Sequence, residues 1–199
     1  SRYGLIGSTS SLEQIGPVTK DVTDCALVLN AIAGHDPNDS MSAKTPVPDF
    51  REALSVDLKG WKVGIPQEYF GEELEPGVRD AVLSAVKQIE DLGAEVSEVS
   101  MPHHQYALSA YHLIAAAEAS SIMARYEGVR YGYRRDDVQD IETLYRTSRS
   151  EGFGHAVKRR IILGTHLLSK GQIDTYYMQA LKIRTLVKQD FDRAFEKYD

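Results

Sequence analysis

Apolar residues recur at helical spacing along most of this chain and at strand spacing in two short runs. Val22, Cys25, Ala26, Leu29, Ile32 and Ala33 form one stripe. They predict a helix with Thr19 as its N-cap and Gly34 just past its end. Trp61 to Ile65 and Ala94 to Met101 have the texture of strands, closed by Pro66 and Pro102. Between them, Pro76 can open a helix that Val78, Val82, Ala85, Ile89 and Leu92 continue and Gly93 closes. Two strands joined through a helix are most simply parallel.

From Gln105 the pattern turns helical. Tyr106, Ala110, Leu113, Ala117 and Ala124 mark one face of a helix reaching about Arg125, with Tyr111 and Glu118 off that stripe. Tyr126 to Arg135 is an irregular aromatic and basic loop, and Ile141 to Tyr145 predicts a short helix. A loop with Gly152 and Gly154 runs into a helix whose Val157, Ile161, Gly164 and Leu168 share a buried face. After Gly171 a long helix carries Ile173, Tyr176, Tyr177, Ala180, Ile183, Val187, Phe191 and Phe195. A hairpin of these last two helices, laid against the 105–125 helix, is the natural packing. The expected fold class is α/β over residues 1–102, with a mostly helical second half over 103–199.

Composition narrows the function classes. The 199 residues are 42% hydrophobic and 26% charged, an ordinary globular balance. A net charge of -6 argues against gripping nucleic acid by bulk electrostatics. Cys25 is the single cysteine, so no internal disulfide forms, which suits a reducing cytoplasm. No apolar run has the length of a membrane span, and no P-loop is present. His112, His155 and His166 have no His or Cys partner three or four residues away, so metal binding is not expected. The oxygen-rich run Asp36-Pro37-Asn38-Asp39-Ser40 lacks the frame of a calcium loop and suits turn and capping roles. The chain opens on Ser1 without an initiator methionine and stops directly after a patterned helix, which suggests a piece of a longer protein.

Two stretches carry candidate chemistry. Gly7-Ser8-Thr9-Ser10-Ser11 is rich in hydroxyls, but no Lys or His stands nearby in sequence to activate one. A turn or a pocket wall is its expected role. Lys158-Arg159-Arg160 lies inside the 155–168 helix, with Arg160 beside the buried stripe and Lys158 on the other side. A guanidinium held there can present two parallel donors to a carboxylate. The triplet alone also fits a solvated basic helix face.

Several separated motifs, in order, resemble the amidase signature enzymes. Ser1-Arg2-Tyr3-Gly4-Leu5 and Ser10-Ser11-Leu12-Glu13-Gln14-Ile15-Gly16-Pro17 resemble the segment just downstream of that family's signature. Arg130-Tyr131-Gly132-Tyr133, Ser148-Arg149-Ser150-Glu151-Gly152-Phe153-Gly154 and Lys158-Arg159-Arg160-Ile161 resemble one branch, the glutaminase components of bacterial tRNA-dependent amidotransferases. Glu13 departs from the Asp of the family's pattern and keeps its charge.

The resemblance implies a portion of the amidase signature fold, a mixed sheet covered by helices. It implies a glutaminase, in which a serine activated through a second serine and a lysine attacks the glutamine amide. Those catalytic residues are expected upstream of Ser1 and none is expected in this chain, so the chain alone should be inactive. The acidic group for the substrate α-amino nitrogen is expected beyond Asp199. By resemblance Arg160 holds the glutamine α-carboxylate, and Tyr111 lines the pocket and hydrogen-bonds the ligand. The implied partners are glutamine, amidotransferase subunits B and C, and Glu-tRNA(Gln) held mainly through a partner subunit. No cofactor is expected on this chain, and ATP and Mg are expected on the partner subunit. Two other readings stay open: an amidase signature hydrolase acting on a different amide, and a non-catalytic module that docks partner subunits.

Overall fold

The computed structural model describes residues 1–55 and 57–199. The chain forms two compact units, one of residues 1–6, 14–101 and 192–199 and one of 7–13 and 102–191.

The first unit holds α1 (Val22–Ile32), β1 (Lys62–Pro66), α2 (Pro76–Asp91) and β2 (Glu95–Val99). The N-cap of α1 is Asp21, not Thr19. The Asp21 carboxylate accepts the N–H of Asp24 at 2.9 Å, while the Thr19 hydroxyl donates to the Asp21 carbonyl. Thr19 lies two residues too early to reach the free N–H groups of the first turn. At the other end Gly34 follows the C-cap Ala33 with φ of 151°, as expected of the residue past the helix. The carboxylates of Asp36 and Asp39 serve both their own turns and the first residues of the chain. Asp36 accepts from Ser1 and Asn38, and Asp39 from the main chain of Arg2 and Met41. The bonds from Asn38 and Met41 are the turn roles expected of them, and those from Ser1 and Arg2 are long-range additions.

The strands pair in parallel from Lys62 opposite Glu95 to Pro66 opposite Val99, with α2 as the connection. Pro66 is the last residue of β1 rather than the residue after it. Residues 198 and 199 cover β1. The Asp199 N–H donates to the Lys62 carbonyl, and the Lys62 N–H donates to the Asp199 carboxylate, each at 2.9 Å. The Tyr198 ring lies over Gly64, where a Cβ would stand 3.1 Å from it. Two short strands offer little surface to cover a helix, and α2 buries none of its residues completely.

The second unit holds α3 (Ala107–Met123), α4 (Ile141–Gly152), α5 (His155–Leu167) and most of α6 (Met178–Ala194). A single π turn, Ile173–Tyr177, leads into α6. The expected single stripe on α3 is too narrow: Ala110, Ile114, Ala115, Ala116, Ala117, Ala119 and Met123 are all buried, nearly around the helix. A helix apolar on all sides belongs inside a bundle. Ala110 and Ile114 pack with Ala180 of α6, and Leu12, Leu113, Leu181 and Ile183 close the cluster. α5 crosses α3 where Gly164 meets Ala116. No helix among the described residues is long and apolar enough to cross a membrane.

α4 is more than twice as long as the short helix expected from Ile141 to Tyr145. Asp140 caps it through the Thr143 N–H at 2.8 Å, and Leu144 and Ser148 form its buried face. Gly152 is its last residue, so the expected two-glycine loop shrinks to Phe153 and Gly154. A buried serine and a run of charged residues hide this helix from apolar periodicity.

Candidate functional site

Tyr111 and Glu118 stand two helical turns apart on α3 and therefore share a face. Tyr111 is 43% exposed, and its ring lies 5.2 Å from that of His112, tilted against it. Glu118 gathers the hydroxyl-rich loop. Its carboxylate accepts the N–H groups of Ser10 at 2.8 Å and Ser11 at 2.9 Å, together with the Ser11 hydroxyl. Arg184 of α6 donates to the same Ser11 oxygen at 2.8 Å. Glu13 completes the loop from within, accepting the N–H groups of Ser8 and Thr9.

This geometry gives the loop a structural role. The Ser11 oxygen donates to a carboxylate and accepts from a guanidinium, so it bridges two charges of opposite sign. Burial pushes the Glu118 carboxyl up, but hydrogen bonds from Ser11 and Ser10 outweigh it and leave its pKa below the ordinary value. Glu118 is therefore ionised at neutral pH and acts as a fixed acceptor. One carboxylate in an alanine-rich helix is the whole sequence signal of this cluster, which sequence reasoning missed.

α5 presents the basic triplet, and the structure divides it. Lys158 is half-buried and its ammonium donates to the Ser150 carbonyl, one of the acceptors left open in the last turn of α4. Arg159 and Arg160 are exposed, and neither forms a hydrogen bond or ion pair among the described residues. Arg160 precedes Gly164 by four residues and shares its face of the helix. It thus projects on the side of α5 that meets α3, with all its donors available. Tyr111 precedes Ala116, the partner of Gly164, by five residues on α3. Among the described residues, no hydrogen bond joins Tyr111 to Arg160.

The loop before α4 is folded onto that helix. Glu127 is buried and paired with Arg130 at 3.0 Å, and the Arg135 N–H donates to the buried Ser148 hydroxyl at 3.0 Å. Tyr133 and Arg135 both bind Glu151. These pairings occupy the basic groups of the loop with internal contacts.

The sequence profile described as amidase matches residues 1–199. The glutamyl-tRNA(Gln) amidotransferase A subunit of Heliobacterium modesticaldum is 59% identical over all 199 residues, which span 41% of that relative's length. Among solved structures, the glutamyl-tRNA(Gln) amidotransferase A subunit of Thermotoga maritima superposes with a TM-score of 0.73 at 35% identity. That superposition covers 100% of this chain and 38% of the other. A bacterial aryl acylamidase of the amidase signature family superposes with a TM-score of 0.67 at 24% identity, over 92% of this chain and 34% of its own, a likeness of fold. The chain thus spans about two fifths of the relatives it matches.

Proposed function

This chain belongs to the amidase family, and from that premise we propose that it is the substrate-binding portion of the glutaminase component of a tRNA-dependent amidotransferase. In this reading the complete protein hydrolyses glutamine, and a partner subunit uses the ammonia to convert Glu-tRNA(Gln) to Gln-tRNA(Gln). Identity of 54–59% to proteins named as A subunits of glutamyl-tRNA(Gln) amidotransferases supports it. The serine-serine-lysine machinery belongs outside this chain, which supplies recognition and not the nucleophile. ATP and Mg chemistry belongs to a partner subunit, which also holds most of the Glu-tRNA(Gln), and the B and C subunits assemble with this protein in the cytoplasm.

The observation that carries the reading is the Arg160 guanidinium on the α3-facing side of α5, unpaired among the described residues. Free glutamine has an α-carboxylate, and a guanidinium with all its donors available can bind it through two parallel hydrogen bonds. Peptide-bound glutamine has no such group, so this contact also selects the free amino acid. Tyr111, next to the buried Ala110 and itself exposed, lines the pocket and offers its hydroxyl to the ligand.

The test uses the complete protein. Arg160→Ala removes a charge-assisted interaction of about 1.5–3 kcal/mol, which raises KM for glutamine by about ten- to a hundredfold. Hydrolysis with an unchanged KM removes Arg160 from the pocket. A complete protein that hydrolyses no glutamine, whether isolated or in its complex, refutes the glutaminase reading itself.

A further inference from the structure

Away from Arg160 and Tyr111, α4 and α5 enclose a groove of about 520 Å³. Tyr145, Phe153, Ile161 and Ile162 supply its apolar walls. Tyr145 is 41% exposed and Ile162 71% with respect to the described residues, which leave this apolar surface open. Arg146, Arg149 and Lys158 stand around it, with Glu142 in its wall and Asp140 near enough to feel the Arg146 charge. In a chain with a net charge of -6, that is a local reversal of sign.

Two of the cations are held in place. Arg149 donates to the Met123 carbonyl at 2.7 Å, and its guanidinium carbon lies 5.1 Å from the centre of the Phe153 ring. Lys158 donates to the Ser150 carbonyl. Neutral acceptors fix these groups without cancelling their charge. Arg146 has no hydrogen bond or ion pair among the described residues. Each helix contributes one face, Tyr145, Arg146 and Arg149 from α4 and Lys158, Ile161 and Ile162 from α5. Two such faces set side by side form the receptor of helix-in-groove recognition.

We infer that this groove docks an acidic amphipathic helix supplied by another member of the same complex. The inference rests on the amidotransferase reading above for the existence of that partner. Charge complementarity selects the acidic flank, because carboxylates on the incoming helix meet Arg146, Arg149 and Lys158. The exposed isoleucines select protein over nucleic acid, since a phosphate backbone gains nothing from covering Ile162 and loses hydration by doing so. Apolar residues on the helix fill the walls between Tyr145 and Ile162, and the cations orient it.

The test compares the complete protein in isolation with the complex it forms with its co-expressed B and C partners. Ile162→Cys is introduced, and alkylation at residue 162 by N-ethylmaleimide is followed by peptide mass spectrometry. The thiol reacts readily in the isolated protein and about tenfold or more slowly in the complex, a ratio matching a docked state favoured by at least about 1.4 kcal/mol. Arg146→Glu with Lys158→Glu weakens assembly by about tenfold or more, and raising the salt weakens wild-type assembly in the same direction. Protection already complete in the isolated protein means that its own chain covers the groove, and overturns the inference. Equal labelling in both states, or protection that arises only on adding tRNA, overturns it as well. Failure of the wild-type protein to associate with B and C at all refutes the amidotransferase reading instead.

Discussion

A Cβ placed on Gly164 would stand 1.9 Å from the carbonyl oxygen of Ala116. The neighbour is backbone, 2.6 Å from the Ala116 carbonyl carbon as well, and cannot rotate out of the way. The crossing of α3 and α5 therefore depends on the absence of one methyl group. Gly164→Ala gains helix propensity of about 1 kcal/mol but forces the helices apart, and overpacking of a close contact costs about 1–3 kcal/mol or more. Net destabilisation is the expected outcome, read as a lower denaturant midpoint of the complete protein. A midpoint equal to or above wild type contradicts the close approach.

The Glu118 carboxylate holds Ser10 and Ser11 only while ionised. Its folded-state pKa is lowered below 4.5, burial acting upward and the Ser11 and Ser10 hydrogen bonds prevailing. A depressed carboxyl pKa adds stability above its unfolded value, and that contribution is lost as pH falls through the folded value. Glu118→Gln removes this dependence. The stability advantage of wild type over Glu118→Gln is therefore constant near neutrality and shrinks as pH drops below about 4.5. Paired denaturation curves across that range check it. An advantage that grows on acidification reverses the sign and refutes the arrangement.

His103 binds Asp190 twice, through its main-chain N–H at 2.9 Å and through ring Nδ1 at 3.0 Å. The Asp190 side chain is 1% exposed, so a donor removed from it is not readily replaced by water. His103→Ala takes away the ring donor and keeps the main-chain one. The expected loss is about 1–3 kcal/mol, the worth of one hydrogen bond to a buried carboxylate that keeps its other contacts. Thermal unfolding of the complete protein measures it. His103→Asn, which restores a donor of similar reach, is expected to recover part of the loss.

How much of this is legible in the sequence depends on the range of the interaction. Parallel pairing of β1 and β2 follows from the spacing of Val63, Ile65 and the Pro76–Asp91 helix, because a crossover of that length permits little else. The α1 cap does not follow, since Thr19 and Asp21 both have suitable chemistry. Only the backbone of Asp21, extended at φ of -143°, places a side chain on the Asp24 N–H. The full length of α4 is hidden because Leu144 and Ser148 make its buried face, and a serine carries no apolar signal. The Glu118 cluster is out of reach, since Ser11 lies 107 residues from Glu118, and Arg184 lies 173 residues from that same serine. Spacing singles out Arg160 beside a buried stripe, but its assignment to a carboxylate comes from resemblance. Spacing alone favours a solvated helix face.

Arg160 and Tyr111 act on different parts of the same ligand, and this separates them experimentally. Arg160 is charged and unpaired among the described residues, so in the proposed pocket it binds a carboxylate that does not change during amide cleavage. An interaction equal in ground and transition states alters KM and leaves kcat alone. Arg160→Lys keeps the charge but loses the fork, so part of the affinity survives. Tyr111→Phe removes one neutral hydrogen bond worth about 0.5–1.5 kcal/mol and keeps the ring. Its KM rises by about two- to tenfold, well below the effect of Arg160→Ala. Steady-state hydrolysis by the complete protein over a range of glutamine concentrations gives both constants. The decisive comparison is with glutamine amide, in which a neutral carboxamide replaces the α-carboxylate. Arg160→Ala is expected to lower kcat/KM for glutamine and to leave glutamine amide nearly unaffected, while Tyr111→Phe affects both alike. Equal losses on both substrates for Arg160→Ala mean that its guanidinium does not meet the carboxylate.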